Sequence, residues 1–258
     1  MRFIKGKECA LMFIQVATLS TPLYSAALFN DNAVSKDGPM SLNYVVTLSA
    51  GPTWADPGET QTFYLAPGIE KTFVADNSSH VLAAGELFLG LQKTLSEHLQ
   101  GQLGLAVAAA GNARLSGIIW DDADPQFDNY SYGYRINHMH VAAKAKLLFN
   151  AGYWVIPWIS GSAGVGFNHA YDFNNTPLIF EAIQMPNFSS HTKTSFSYTL
   201  GAGIQKAVSN NWQVGLGYEF ADWGKSQLNR AAGQTLNSGL SLEHLYTNGV
   251  MFNITYLA

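Results

Sequence analysis

The stretch SFSYTLGAGIQKAVSNNWQVGLGYEF, residues 195–220, alternates between two kinds of side chain over two consecutive segments. One row is large and apolar, and the row between is small or polar. The apolar row contains Phe196, Tyr198, Leu200, Ala202 and Ile204, then Trp212, Val214, Leu216, Tyr218 and Phe220. Successive side chains of a strand point to opposite faces, so the pattern predicts two strands with one apolar face, joined by a turn at 209–210.

Eight segments of the chain share this period of two and predict an all-β protein. They are 41–54, 80–95, 99–113, 137–149, 153–169, 194–207, 211–223 and 241–257. Tight turns alternate with long connections at 55–79, 114–136, 170–193 and 224–240. This alternation predicts an antiparallel up-and-down order with all short turns at one end. Residues 61–74 also have strand character, and we interpret them as a hairpin or strand extension within the first long loop.

The apolar rows lack any candidate cover, because no amphipathic helix remains in the sequence. Charged residues make up 12% of the chain, about half of the roughly 25% of soluble domains. A soluble lipocalin-like carrier, the alternative, would place the apolar rows inside and abundant charge outside. We therefore predict an eight-stranded antiparallel up-and-down transmembrane β-barrel, with short periplasmic turns, four long extracellular loops and apolar rows facing lipid.

The N-terminus has the pattern of an export signal. Basic residues precede the apolar run ALMFIQVATL, and Ser25-Ala26-Ala27 offers small residues for cleavage. We predict a signal peptide at 1–27, a short segment at 28–40 and the barrel at 41–258. Cys9 is the one cysteine, so the mature chain would hold no thiol. These features predict Sec-type export and an outer-membrane location, and the net charge of −4 without a basic block argues against nucleic-acid binding.

Aromatic residues collect near the predicted strand ends, as expected for girdles at two membrane interfaces. The predicted girdle consists of Trp54, Phe149, Tyr153, Phe167, Trp212, Phe220, Trp223, Tyr246 and Tyr256. Glycine pairs occupy the opposite, interior face of three strands, at 164 and 166, 201 and 203, and 215 and 217. An eight-stranded barrel is just wide enough for side chains to fill, so these glycines should leave room for larger interior residues such as Phe88, His138 and Lys144.

Four stretches together resemble the small eight-stranded outer-membrane barrels of Gram-negative bacteria, the OmpA-type transmembrane domain and related surface antigens. They are LSAGPTW (48–54), ELFLGLQKTLSEHLQGQLGLAVA (86–108), YTLGAGIQKAVSNNWQVGLGYEFADWG (198–224) and VMFNITY (250–256). The resemblance covers 41–258 and implies outer-membrane lipid, lipopolysaccharide and the barrel-assembly machinery as partners. The family usually ends on an aromatic residue, whereas Leu257-Ala258 end this chain.

Interior charges should pair across a narrow lumen, because isolated buried charges cost several kcal/mol. The resemblance implies such a salt-bridge network. We expect Glu86 and Glu219 to neutralise Lys144 and Lys146, forming a structural plug; a gated ion path is the alternative. His138 and His140 lie two apart on one strand face, and we interpret them as a hydrogen-bonded lumen pair near the outer rim rather than metal ligands.

Two loops raise other chemistry. The loop DDADPQFD (121–128) concentrates carboxylates but lacks the spacing of a calcium loop, so we expect no metal and no cofactor. An enzyme acting on lipid would need a serine, histidine and acid set near the outer rim, and His169, His191, Ser189, Ser190 and Glu181 are the candidates. We expect instead a non-enzymatic surface or structural protein whose loops meet an unknown extracellular partner, with a narrow porin-like channel or a lipid-modifying enzyme as alternatives.

Overall fold

The computed structural model describes residues 42–55, 58–76 and 80–258. The predicted signal peptide 1–27 and the segment 28–40 lie outside the described residues, so both remain predictions. The described part contains no helix of the length and hydropathy that crossing a membrane requires.

The described residues form twelve β-strands. These are β1 (Leu42–Ala55), β2 (Gln61–Ala66), β3 (Ile69–Ala75), β4 (His80–Ser96), β5 (Leu99–Asp121), β6 (Asp128–Phe149), β7 (Ile156–Pro177), β8 (His191–Ala207), β9 (Trp212–Asp222), β10 (Ser226–Gln227), β11 (Ser241–Leu242) and β12 (Tyr246–Leu257).

Eight of these strands close into a ring. Strands β1, β4, β5, β6, β7, β8, β9 and β12 pair in that order, and β12 pairs back with β1. Every pairing is antiparallel, and the closing pair aligns Val46 with Tyr256. The predicted eight-stranded antiparallel barrel is therefore confirmed, and closure leaves the ring without a free edge.

The first long loop contains the predicted hairpin. Strands β2 and β3 pair with each other across a turn in which Gly68 has a φ of +76°, a conformation that favours glycine. Strand β3 then pairs with the far end of β5, aligning Phe73 with Ile119. The hairpin thus lies beside the ring and adds no ninth strand to it.

One predicted long loop, 114–136, is mostly strand, and another, 170–193, is partly strand. Residues 114–121 continue β5, 128–136 begin β6, and 170–177 continue β7. Their many Asp, Asn, Gly and Tyr residues favoured a loop interpretation, which is wrong for these segments. The alternation continues through them, and their inward side chains, such as Tyr132 and Phe173, are buried against one another. The barrel wall therefore rises well beyond the part recognised in the sequence.

The apolar rows face outward along the lower part of the barrel, as predicted. Leu103, Leu105 and Phe196 are 67%, 63% and 67% exposed. Their neighbours in sequence point inward, and the inward row of β5 includes buried Gln102 and Ala106. The outside of this part of the barrel is apolar and the inside is polar or small.

Strand β6, DNYSYGYRINHMHVAAKAKLLF (128–149), reverses this arrangement part-way along its length. From the short-turn end its outward row is apolar as far as Met139, and then turns polar with Asn137, Arg135 and Ser131. Its inward row is polar through Lys146, Lys144, His140 and His138, and then becomes Ile136, Tyr134, Tyr132 and Tyr130. We call the barrel below the level of His138 and Asn168 the lower half. The rest, including β2, β3 and the long loops, is the upper half.

Two β-bulges lie just above this level. One extra residue of β5 separates the pairs Ala110–His138 and Ala113–Ile136. In β7, one extra residue lies between the pairs Arg135–Tyr171 and Gly133–Asn174. Each bulge shifts the alternation of its strand by one residue, so the inward row continues with Leu115 in β5 and Phe173 in β7.

Candidate functional site

An ion-pair cluster crosses the lumen of the lower half. The Lys144 ammonium donates to Glu86 Oε1 at 2.5 Å and to Glu219 Oε2 at 3.3 Å. The three residues come from β6, β4 and β9, so the cluster links separate parts of the wall. Lys144 and Glu86 are buried, and charges in such surroundings are stable only when they are paired.

Lys146 departs from the predicted network, because both carboxylates lie against Lys144. Its ammonium donates to Gln205 Oε1 at 2.7 Å and lies 4.5 Å from the centre of the Trp158 ring. Gln205 in turn donates to Gln213 Oε1 at 2.6 Å. The prediction that a carboxylate neutralises Lys146 is therefore wrong. An amide oxygen and an aromatic face replace the carboxylate, as the electrostatics of cation–π contacts allow.

Trp158 fills the lumen beside the glycine rows. Its ring lies so close to Gly203 and Gly217 that a Cβ atom at either position would overlap it. The glycines therefore make room for a large interior side chain, as the sequence predicts. Trp158 itself was not among the predicted interior residues, although its even number places it in the same inward row as Ser160 and Ser162.

The two predicted lumen histidines lie at the top of the lower half. His138 Nδ1 is 2.8 Å from Asn168 Oδ1, whereas His140 forms no hydrogen bond within the described part of the chain and contacts a ring instead. That ring belongs to Trp223, whose centroid is 5.5 Å from His138 and 4.9 Å from His140. The described residues hold no group of three His, Cys, Asp or Glu side chains placed to bind a metal ion.

Trp223 corrects the predicted aromatic girdle. It is only 3% exposed, and its Nε1 donates to Thr247 Oγ1 at 2.8 Å inside the barrel. Asn168 Nδ2 also donates to the Trp223 carbonyl at 2.7 Å. Trp223 has an odd number, as the inward residues Gln213 and Glu219 of β9 do, so the alternation places it inside. It caps the lower lumen rather than facing a membrane interface.

The other predicted girdle residues lie on the outside or in a turn. Trp212 and Tyr256 have ring centroids 5.0 Å apart near the short turns, and Phe220 and Tyr246 are 5.7 Å apart near the long loops. The remaining exposed members are Trp54, Phe149, Tyr153 and Phe167. Tyr153 belongs to the turn before β7 rather than to a strand.

An apolar core fills the upper half. Phe73 contacts Phe188 and Tyr132 with ring centroids 5.6 Å away in both cases, and Phe173 lies 4.7 Å from Phe188. Burial raises the pKa of the Tyr132 hydroxyl, and the nearby charge of Asp76 adds to the effect. The phenol therefore stays neutral at ordinary pH, and this core carries no charge from it.

The long loops pack over this core. The amides of Thr235 and Leu236 donate to the Leu65 carbonyl at 3.0 and 3.1 Å. Asn237 Nδ2 donates to the Tyr64 carbonyl at 2.8 Å. Phe188 also forms an isolated β-bridge with residue 231 of the last long loop. Three of the four long loops therefore meet over the apolar core of the upper half.

Several of the residues considered for catalysis and for a hard cation have other contacts. His169 Nδ1 is 2.9 Å from Thr192 Oγ1, and Ser189 Oγ donates to the Arg230 carbonyl at 3.1 Å. Among the described residues, no hydrogen bond or ion pair joins His169 to Ser189 or Glu181. In the acidic loop, Asp121 forms an ion pair with Lys71.

Solved outer-membrane proteins share this architecture. The outer-membrane protease OmpT of Escherichia coli is similar with a TM-score of 0.50 and 8% identity, over 85% of this chain and 99% of that one. The chain has the fold of an outer-membrane β-barrel.

Two further structures match with lower scores. Neisserial surface protein A gives a TM-score of 0.43 at 11% identity, over 84% of this chain and 99% of that one. The attachment invasion locus protein Ail of Yersinia pestis gives 0.34 at 14% identity, over 83% and 99%. At such identities the similarity concerns the fold alone. No protein-family model matches the chain, and no curated protein matches it significantly.

Proposed function

We propose that the chain is an integral outer-membrane protein with a plugged lumen, whose upper half stands outside the cell and serves adhesion or envelope integrity. The reversal of polarity along β6 carries this proposal. An apolar outer surface is stable against hydrocarbon, and a polar outer surface over an apolar core is stable in water. The lower half therefore fits the bilayer, and the upper half fits the aqueous exterior.

The height of the apolar band supports a membrane span. On β6 the outward apolar row runs from Met139 to Phe149. About 11 residues at roughly 3.4 Å each, tilted by about 45°, rise roughly 26 Å. Outer-membrane barrels carry an apolar band about 25 Å tall. Outer-membrane lipid and lipopolysaccharide are the partners that such a band implies.

Two layers of side chains support the plug. The first layer contains Trp158 and the ion pairs of Lys144. The second layer, at the top of the lower half, contains His138 and His140 beside Trp223. Two of the catalytic candidates, His169 and Ser189, bond to other groups, which supports a role without catalysis. The upper half and its packed loops then make the contact with an exterior partner.

Extraction and electrophoresis test the membrane proposal. The chain should stay in the membrane pellet after salt washing, dissolve only with detergent, and migrate differently on a gel before and after boiling. A chain that dissolves without detergent would instead match the soluble carrier with inward apolar rows, and would overturn the proposal.

Unpartnered polar atoms favour a second candidate function, a narrow channel. Within the described part of the chain, buried atoms lacking a hydrogen-bond partner include both imidazole nitrogens of His140, Trp158 Nε1 and Ser197 Oγ. Buried polar groups of this kind usually bind ordered water. Planar-bilayer recordings separate the candidates, because the plug predicts no openings. Stable openings that vanish in Lys144→Ala or Glu86→Ala would support the channel.

A further inference from the structure

The upper half contains a cavity that the proposed function does not use. Its volume is about 280 Å³. Three segments that are distant in sequence surround it: the β2–β3 hairpin, residues 185–188 before β8, and residues 231–234 of the last long loop. The cavity lies against the apolar core, and Phe73, Phe173 and Phe188 belong to both.

Polar groups at the cavity wall already have partners. Lys71 forms an ion pair with Asp121 and lies 5.8 Å from the centre of the Tyr130 ring. Gln234 Oε1 accepts from the amide of Ala231 at 2.9 Å, and its Nε2 donates to two carbonyls, at 2.8 and 2.9 Å. A charged or strongly polar ligand would lose its hydration without compensation here, so the wall selects a neutral, apolar molecule.

The aromatic side chains that line the cavity narrow the class of ligand further. Phe73 and Phe188 are tilted by 49°, and Phe173 meets Phe188 edge to face at 64°. At the cavity, Phe173 and Phe188 keep a small part of their surface exposed, whereas Phe73 is fully buried. Aromatic rings prefer offset or edge-to-face contacts at 4.5–7 Å. An apolar cavity of about 150 Å³ in another protein holds benzene. A larger cavity with these walls fits a molecule of one or two fused rings.

We propose that this cavity binds a small neutral aromatic molecule of one or two rings. The ligand would contact the hairpin, the third long loop and the last long loop at once. Binding therefore also holds the three segments together and stabilises the upper half. The site is separate from the plugged lumen, and it goes beyond the role of a surface anchor.

Methyl NMR of the full chain, folded in lipid nanodiscs, tests the proposal with naphthalene as the probe. Detergent is avoided because its tails would compete for the cavity. With methionine methyl groups labelled, the Met185 signal at the cavity should shift and saturate. Met139 faces outward in the lower half and is 46% exposed, so it reports partition into lipid and should shift without saturation.

A pair of variants in one loop gives the matched control. Ala232→Trp fills the cavity and should weaken naphthalene binding at least ten-fold. Leu236→Trp adds the same ring in the same loop but outside the cavity lining, and should leave binding unchanged. Ala66→Phe fills the cavity from the hairpin and serves if Ala232→Trp does not fold, which heat-modifiable migration reports.

Two further ligands define the class. Charged 2-naphthoate should bind at least ten-fold more weakly than naphthalene, and n-decanol should bind more weakly as well. The proposal is overturned if the Met185 signal does not saturate with naphthalene, if saturation persists in folded filling variants, or if decanol or naphthoate binds as tightly.

Discussion

Strand β6 passes through both the lower and the upper half of the barrel with opposite chemistry in each. In β6 the alternation runs unbroken from one half into the other, yet the apolar row faces out below His138 and in above it. Period two thus keeps the same row of β6 inward along the whole strand, while the surroundings determine which of its two rows is apolar. The residue at which the rows exchange therefore locates the change of solvent, from lipid to water.

The two interiors also differ in what holds them together. The lower interior depends on matched charges and on Trp158 against glycines. The upper interior depends on the volume of packed rings around Phe73. The lower half should therefore be sensitive to changes of interior charge and outward polarity, and the upper half to changes of interior size.

Removing the lumen cation should have the largest effect. Lys144→Met leaves the buried Glu86 and the half-buried Glu219 without a cationic partner, so we expect a loss of about 3–5 kcal/mol in unfolding free energy. Urea unfolding in lipid vesicles measures it.

Lys146→Met is the matched control one step along the same row. Its ammonium contacts an amide oxygen and a ring rather than a carboxylate, so no buried anion is left behind. The loss should be clearly smaller than for Lys144→Met. Equal losses would mean that the ion pairs do not dominate the lower interior.

Arginine substitutions on the outward face should have the second-largest effect on stability, and that effect should differ between the two halves. Leu216→Arg places a charge on the outward face of β9 near the middle of the lower half and should cost about 2–4 kcal/mol. Ser131→Arg on the outward face of upper β6 should change stability by less than about 0.5 kcal/mol, as at an ordinary wet surface. If both variants fold with wild-type stability, the lower half does not face lipid.

Filling the space beside Trp158 should have the smallest of these effects on stability. Gly217→Val would overpack the lumen and cost about 1–3 kcal/mol. Gly161→Val is the control, because a Cβ there meets Leu200 at an ordinary 3.6 Å. Adding Trp158→Leu to Gly217→Val should recover part of the loss, because the two side chains share one space. Additive losses in the double variant would contradict this packing.

The sequence predicted the ring because the alternation of every lower strand is regular. The outward rows, the hairpin at 61–74 and the meeting of Lys144 with Glu86 and Glu219 could all be read from residue order and the cost of unpaired charge. The upper strands were missed because Asp, Asn and Gly are frequent there, which favours a loop. The inward row of Tyr130, Tyr132 and Tyr134 was the available evidence for a strand.

The lumen itself was predicted less completely. Trp158 and Trp223 are large and aromatic, and such residues in a membrane barrel favour a girdle. Their positions in the alternation of each strand place them inside. There, glycines leave room for the Trp158 ring, and His140 contacts the Trp223 ring. The partner of Lys146 could not be predicted, because an amide or a ring can replace a carboxylate and only the folded lumen determines which is near.

Paired cysteine labelling on β6 tests the reversal most directly, since Cys9 is the one natural cysteine and lies in the predicted signal peptide. Ser131→Cys is outward in the upper half, and Ala143→Cys is outward in the lower half. A membrane-impermeant maleimide added to intact cells should label the first readily and the second only after unfolding. Rapid labelling of Ala143→Cys in the folded protein would contradict a lipid-facing lower half.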